Sequence, residues 1–553
     1  MNPRKWFFSF LFLILISPHL SAQSYDIVIY GGTSAGIAAA IQSSRMNKSV
    51  LLIEPSQRLG GLTTGGLGAT DIGNKQAIGG IAREFYQLIK SYYSKDENWK
   101  WEKREEYMTG RQARNKEGED AMWTFEPSAA LQVYLQMLAK EKVEILFGER
   151  LLRTSVGVKK SDGVIQTITM ESGKTFSGRM FMDATYEGDL LATAGISYTV
   201  GREGNDQYKE SLNGVQANFY SPTLENKVSH NAINHNFVAR VDPYIEKGKP
   251  ESGLLPNISH QGPGIDGEGD NKVQAYCFRM CLTDHPDNRI PFHKPEGYDE
   301  KNYELLIRNY EAGEKTLPWI NSAMPNRKTD TNNRLGFSTD FIGQNWDYPE
   351  ASYEEREKIV EAHRNYQQGL MWTLAYHPRM PQWVRDVYSK WGMTKDEFER
   401  GDGWQNQLYI REARRMVSDL VMTQYHCEGL EKVDDGIGLA AYGMDSHHIQ
   451  RYVDANGFVQ NEGNVEARVE GPYPISYRAI IPKKSEAKNL LVPVCVSASH
   501  IAFGSIRMEP VFMVLGQSAA IAASLSIDEE IAVQDLPYEK LKEVLLKNKQ
   551  RLD

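Results

Sequence analysis

Apolar residues near the start of the chain fall in two short continuous runs rather than in a helical stripe. Tyr25-Asp26-Ile27-Val28-Ile29-Tyr30 is rich in β-branched and aromatic residues, as a strand buried on both faces should be. Gly31-Gly32-Thr33-Ser34-Ala35-Gly36 follows at once and opens a small-residue helix, Ile37-Ala38-Ala39-Ala40-Ile41. The second run, Ser49-Val50-Leu51-Leu52-Ile53, closes on Glu54. This order predicts a βαβ unit.

Downstream, the periodicity predicts helices over about 81–93 and 127–140, the second opened by Glu126-Pro127. A third parallel strand is predicted over Val143-Glu144-Ile145-Leu146-Phe147. Alternating segments near 151–156, 164–170 and 175–182, broken by Ser161-Asp162-Gly163 and Ser172-Gly173, read as a small antiparallel meander. It runs into Asp183-Ala184-Thr185-Tyr186-Glu187-Gly188-Asp189 and an apolar helix from Leu190 to Ala194. From about Gly204 to Pro482 the chain turns polar and aromatic, with Trp319, Trp346, Trp372, Trp383, Trp391 and Trp404. The apolar style then returns in a strand over 489–496, the block Ser497-Ala498-Ser499-His500, and a long helix from Pro510. Gly516, Ser518 and Ala519 allow that helix to pack closely. An amphipathic helix over about 537–547 reads as surface cover.

The strand, glycine turn, helix, strand and acid have the order of a site for an ADP-containing cofactor. Gly31 and Gly32 let the backbone turn toward a pyrophosphate, whose charge suits the helix N-terminus. Gly36 lets helix and strand approach, and Glu54 can accept from ribose hydroxyls. Thr33 stands where the strict fingerprint has its second glycine. Gly262-Pro263-Gly264-Ile265-Asp266-Gly267 fits the same spacing, but no strand precedes it and Glu268-Gly269-Asp270 follows, so it reads as an acidic surface loop. No second dinucleotide site is visible. Arg58-Leu59-Gly60-Gly61-Leu62-Thr63-Thr64-Gly65-Gly66-Leu67-Gly68 implies backbone pressed against a flat or charged ligand, or a loop with special dihedrals.

The basic start Arg4-Lys5, the apolar run from Trp6 to Ile16 and a small residue at Ala22 read as a cleaved secretory leader, too short to span a bilayer. The mature chain is therefore expected to be periplasmic or secreted, with no membrane span. Losing Arg4 and Lys5 moves the net charge from −9 to about −11. Such an acidic chain without basic runs argues against nucleic acid and anionic membrane surfaces. Cys277, Cys281, Cys427 and Cys495 are too few for a disulfide scaffold. A 277–281 bridge is open in an oxidising compartment, though four residues of extended strand separate the thiols too far. No zinc-type spacing occurs, and no metal is expected.

These blocks, with Leu408-Tyr409-Ile410-Arg411-Glu412-Ala413-Arg414-Arg415-Met416 and Arg507-Met508-Glu509-Pro510 through Gly516-Gln517-Ser518-Ala519-Ala520, resemble a bacterial FAD-dependent oxidoreductase. The resemblance is to the type with a glutathione-reductase-like FAD domain, distantly akin to fumarate-reductase flavoproteins, and it covers nearly all of the mature chain. It implies an α/β fold: a Rossmann-like FAD/NAD(P)-binding three-layer ββα domain with an inserted α+β substrate domain. The corresponding boundaries are a leader at 1–22, FAD-binding parts at 23–203 and 483–530, a substrate or cap domain at 204–482, and a C-terminal surface helix at 531–553. It further implies that Gly31, Gly32, Thr33, Ser34 and Gly36 hold the FAD pyrophosphate and Glu54 the ribose. Gly60, Gly61, Thr63 and Thr64 would run beside the ribityl chain and flavin, Leu151 would bracket adenine through its backbone, and Asp183 would border the crevice. The helix carrying Gly516, Ser518 and Ala519 would aim its N-terminus at the flavin pyrimidine edge.

A flavin oxidising an alcohol needs a base for the hydroxyl proton. His500, just after a predicted strand, is the first candidate; His447 and His448 are the next, and Asp445 could orient one of them, since adjacent histidines on a strand point to opposite faces. A structural role for His500 is the alternative. Arg411 and Arg507 can clamp a carboxylate or steady reduced flavin; a salt-bridged helix face with Glu412 is the alternative for Arg411, Arg414 and Arg415. Relatives of this type often accompany polysaccharide-degrading systems, and aromatics interleaved with polar groups suit sugar rings. The sequence reading is an exported FAD-dependent oxidoreductase acting on a small, carbohydrate-derived substrate, passing electrons to oxygen, quinone or an exported carrier. Two alternatives stand beside it. One is a polysaccharide lyase or hydratase with non-redox FAD, using Tyr442, His447 and Arg411; the other is a sugar-binding protein on a flavin fold.

Overall fold

In the computed structural model, which describes residues 23–111, 114–116, 118–217, 228–230, 235–237 and 240–553, the first βαβ unit forms as the apolar pattern requires. The leader at 1–22 lies outside the described residues. Strand β1 (Gln23–Tyr30), helix α1 (Ser34–Arg45) and strand β2 (Val50–Glu54) are followed by α2 (Gly80–Tyr92), α3 (Pro127–Lys140) and β3 (Glu144–Phe147). Then come β4 (Val158–Ser161), β5 (Val164–Thr169), β6 (Thr175–Asp183) and a short helix α4 (Asp189–Thr193).

These strands join one sheet in the order β3-β2-β1-β6-β5-β4. β3, β2, β1 and β6 run parallel, while β5 and β4 are antiparallel. The register sets Tyr30 beside both Ile53 and Asp183, so the ends of three strands meet at one edge. Two expectations change here. The first meander strand is Val158–Ser161, not the 151–156 segment: Leu151 makes a single bridge to Met170, and the chain then turns through Thr154 and Gly157. β6 also serves twice, closing the meander and forming the central parallel strand beside β1.

The middle of the chain builds a second, antiparallel sheet from β7 (Met280–Thr283), β8 (Arg289–Pro291), β9 (Trp319–Met324), β10 (Lys328–Asn333) and β11 (Gly392–Thr394), in the order β8-β11-β7-β10-β9. Between β10 and β11 runs the 24-residue helix α5 (Tyr353–Tyr376). The tryptophans of this region mostly pack against other rings rather than forming an open platform. Trp319 lies 4.0 Å from Tyr388 and 5.9 Å from Trp391, and Trp404 meets Phe278 edge-on. Trp383 meets Tyr310 edge-on but stays 41% exposed, and Trp346 instead carries Lys272 over its ring. Cys277 and Cys281 lie in extended chain, paired with Tyr409 and Asp330 respectively; all four cysteines are buried and free.

The chain returns to the first sheet through β12 (Leu490–Leu491), which pairs parallel with Phe181 and Met182 of β6. This strand is shorter than the expected 489–496, because Val492 and Cys495 already bond to Ile480 and Met416. Helices α6 (His500–Ile506), α7 (Glu509–Glu529) and α8 (Tyr538–Lys547) complete the fold. α7 is long and apolar enough to cross a membrane, yet that stretch is wholly enclosed by protein and serves as the central core helix. It lies against α1 so closely that a Cβ on Gly516 would stand 2.1 Å from the Ala35 carbonyl oxygen. α8 is amphipathic as expected, burying Leu541 and Leu545.

Candidate active site

The turn after β1 shows why glycine is needed and why one threonine is tolerated. Gly31 has φ +108° and faces the Ala184–Thr185 backbone; a Cβ on Gly36 would lie 1.9 Å from the Gly31 carbonyl oxygen. Thr33 takes the second glycine position as the N-cap of α1: its Oγ1 accepts from Gly36 N and donates to Ala184 O at 2.7 Å. The hydroxyl thus caps the helix and ties it to the end of β6. Glu54 is buried, accepting from Gly32 N and Ser56 N at 2.7 Å each; burial, opposed by these bonds, leaves its carboxyl raised above the usual range.

Beside this turn lies a cavity of about 440 Å³. Gly31, Thr33, Glu54 and Gly61 line it, together with Arg58 and Tyr186. The remaining assignments are distributed differently. Gly60 and Gly61 both have positive φ, but the atoms nearest their missing Cβ positions are Thr64 and Tyr186. Thr63 Oγ1 donates to Glu509, and Thr64 donates to Leu59 O. Ser34 reaches the Glu509 carbonyl at 3.4 Å. Leu151 has its amide bonded to Tyr30 Oη and its carbonyl to Tyr353 Oη, so two phenols occupy the backbone groups expected to bracket adenine. Gly516, Ser518 and Ala519 do not line the cavity: Gly516 meets α1, Ser518 donates to Ile437 O, and Ala519 is core. At the α7 N-terminus, the buried Glu509 carboxylate accepts from Tyr186 Oη at 2.7 Å and Thr63 Oγ1 at 2.8 Å.

Asp183 braces the crevice from behind. Its carboxylate accepts from Thr185 N, Thr185 Oγ1 and Leu191 N. Burial outweighs these bonds and pushes its pKa from 3.8 to about 6. Between those values the folded chain binds a proton that the unfolded chain does not, so stability falls as pH rises through that window. The size is on the order of 3 kcal/mol. Denaturant midpoints measured from pH 4 to 7 should show this slope, and Asp183→Asn should flatten it.

The segment Leu408 to Met416 is not a helix, and its arginines diverge. Arg414 pairs with Asp189 and Glu350, while Arg415 reaches Glu203, Gly201 O and Ala498 O. Arg411 turns inward to Asp340 at 3.0 Å, Cys277 Sγ and Ala275 O. Tyr409 is enclosed by three guanidinium groups, with Arg411, Arg507 and Arg279 at 4.6, 5.7 and 6.0 Å from its ring centroid. Arg507 donates to Tyr409 Oη at 2.8 Å and to Asp445. Arg279 grips Asp330 bidentately, and its carbonyl lies 1.9 Å from where Gly66 would carry a Cβ. The cationic cluster therefore abuts the second glycine segment.

The two candidate histidines part company. His500 is buried with both nitrogens engaged: Nδ1 lies 2.8 Å from Glu412 and Nε2 2.9 Å from Ser446 Oγ. It braces the start of α6 rather than offering a free base. His447 has Nδ1 at 2.7 Å from Asp340 Oδ2 and Nε2 at 3.6 Å from Asp445 Oδ2. Burial would raise the Asp340 carboxyl, but Arg411 and His447 overcome it and hold it far below the usual range. The resulting carboxylate can hold a proton on Nδ1, while the Asp445 carboxylate faces Nε2. Tyr442 stands nearby, its phenol pushed up by Asp71, burial and Asp445. It lines a second cavity of about 530 Å³ with Asp71, Asn74, Lys75, Arg114 and Trp123. Asp340, Arg279 and Gln405 escaped sequence reasoning because no local motif marks them; Tyr409 stood in a quoted block without a role.

The parallel sheet, the glycine turn and the acid after β2 define a Rossmann-like dinucleotide-binding protein. A family model described as FAD dependent oxidoreductase matches residues 26–545, and the chain belongs to that family. No curated protein sequence matches it. Among solved structures it is similar to a flavin-containing monooxygenase from Stenotrophomonas maltophilia, at 14% identity over 35% of this chain and 45% of that one, TM-score 0.19. It is also similar to an L-amino acid deaminase from Proteus vulgaris, at 16% identity over 33% and 54%, TM-score 0.21. The chain thus spans about half of those proteins' lengths.

Side chains around the first cavity fit the FAD that the family's description names. Arg58 lines the first cavity with a buried Nη2 that has no partner, a cation suited to a pyrophosphate. Gln405, fully buried against Gly66, has neither amide atom partnered, matching the polar edge of a flavin.

Proposed function

We propose that this enzyme is exported and oxidises a hydroxyl-bearing, carbohydrate-derived substrate, with His447 as the base and Arg507 and Tyr442 as orienting groups. The observation that carries the reading is the Asp340–His447 pair, set beside Tyr442, Asp445 and Arg507 near a cavity with many polar groups. When bound, FAD supplies the two-electron acceptor. Asp340 holds the imidazole; a substrate hydroxyl that takes the place of Asp445 at Nε2 can give its proton there, and Arg507 can steady negative charge developing on the substrate oxygen. A lyase using Arg411 is less well served, since Asp340, Ala275 O and Cys277 already hold that guanidinium.

The test is anaerobic mixing of the yellow protein with neutral sugars, aldonic acids and uronic acids. Loss of flavin colour with a sugar or sugar acid is the expected result. A new unsaturated product without bleaching would mean a lyase, and neither change would mean a binding protein. Export is tested by the N-terminal sequence of protein recovered outside the cytoplasm, expected to begin near Gln23.

A further inference from the structure

The first cavity has a wall that the nucleotide-binding motif does not supply. Tyr353, Arg356, Glu357, Val360 and Glu361 line it, at the i, i+3, i+4, i+7, i+8 spacing of one helix face. All five belong to α5, far in sequence from the glycine turn. The same cavity is lined by Glu54, Pro55 and Ser56 at the end of β2 and by Arg150 after β3. In an open parallel sheet the ligand lies beyond the carboxyl ends of the strands, with the acid after the second strand on the ribose. We propose that this face of α5 is the outer wall of the adenosine half of the FAD site, so that the inserted region grips the cofactor.

α5 is fixed to the strand ends at its first turns. Ser352 and Glu355 form a reciprocal capping box, at 3.2 and 2.8 Å. Arg356 makes two hydrogen bonds to Asp189, at 2.7 and 3.0 Å, and Asp189 is also held by Arg414 and Arg153. Burial pushes the Asp189 carboxyl up, but the arginines outweigh it and keep it below the usual range. Tyr353 Oη donates to Leu151 O at 3.1 Å and lies 3.4 Å from Tyr30 Oη. Arg150 lies over the Tyr353 ring at 5.1 Å and pairs with Glu357. Val360, half-buried, is the one aliphatic side chain of the five and offers an apolar surface to a base.

The experiment strips flavin from the holoenzyme and titrates the apoprotein with FAD and, separately, with AMP, following protein fluorescence. Flavin release from the holoenzyme is timed in parallel. Val360→Glu is expected to weaken both ligands by about tenfold or more and to speed release in proportion. Val360→Ala should weaken both by about two- to fivefold, as a small apolar contact is lost. Lys358→Glu, on the exposed face of α5, should leave both constants unchanged. A folded Val360→Glu protein that holds FAD and AMP as tightly as the parent overturns the proposal. So does weakened FAD with AMP unchanged, because the wall would then not face the adenosine half. If Val360→Glu does not fold, Val360→Ala decides: unchanged constants and release rate overturn the proposal.

Discussion

Replacing Gly36 with alanine should yield protein that holds little or no flavin and unfolds at lower denaturant than the parent. The added Cβ would lie 1.9 Å from the Gly31 carbonyl oxygen, and the next nearest atoms, the Gly31 carbonyl carbon and Ala184 Cβ, are no freer to move. Flexible side chains can yield to such a clash, but a backbone carbonyl at a strand end cannot move without pulling α1 away from β1. Overpacking of this kind costs about 1–3 kcal/mol, and contact with fixed backbone puts this case at the upper end or beyond. The same displacement moves the α1 N-terminus, so cofactor uptake and stability should fall together. Visible flavin absorbance per mole of protein and a urea melt measure the two effects. Gly262→Ala is the control: nothing lies within 4 Å of its missing Cβ, and both properties should be unchanged.

His447→Asn should slow anaerobic bleaching by the substrate roughly 10²–10⁴-fold, the usual contribution of a positioned acid–base group, while flavin content stays at the parent level. His500→Gln should behave oppositely. Glu412 would lose its closest partner, so stability should drop while the bleaching rate of the surviving protein changes little. If His500→Gln abolishes bleaching and His447→Asn does not, the base has been assigned to the wrong imidazole. Asp340→Asn is a poorer test of the same idea. It also strips Arg411, itself fully buried, of its carboxylate partner, a change that costs about 3–5 kcal/mol and obscures the catalytic effect.

The nucleotide cradle was legible because its chemistry is local. The Gly31-to-Gly36 turn and the two flanking strands all lie between Gln23 and Glu54, and each step imposes a residue type that shows in the sequence. β6 was half legible: its alternation marked a meander, but nothing local says that the same strand also runs parallel to β1. The 408–416 block misled for a related reason. Its charges sit at helical spacing, yet each arginine is drawn to a carboxylate from a different part of the chain. His447 could be proposed from sequence, but not its partner, since Asp340 lies 107 residues earlier and contact with it depends on the tertiary fold. The wall supplied by α5 was hidden in the same way: three of its five residues are charged, so the face reads as solvent-facing helix until the sheet is set beside it.

The junction of α7 and β12 with the first sheet has a consequence for how the protein is made. A nascent chain that has emerged as far as residue 480 contains the whole glycine turn, yet β6 still lacks β12 and α1 still lacks the helix that Gly516 seats against it. Pairings across some 300 to 480 residues form late and slowly, and an open strand edge invites association between chains meanwhile. FAD capture is therefore expected only after synthesis is nearly finished. Ribosome-stalled chains ending before Glu509 should be colourless and prone to aggregate, however intact their fingerprint.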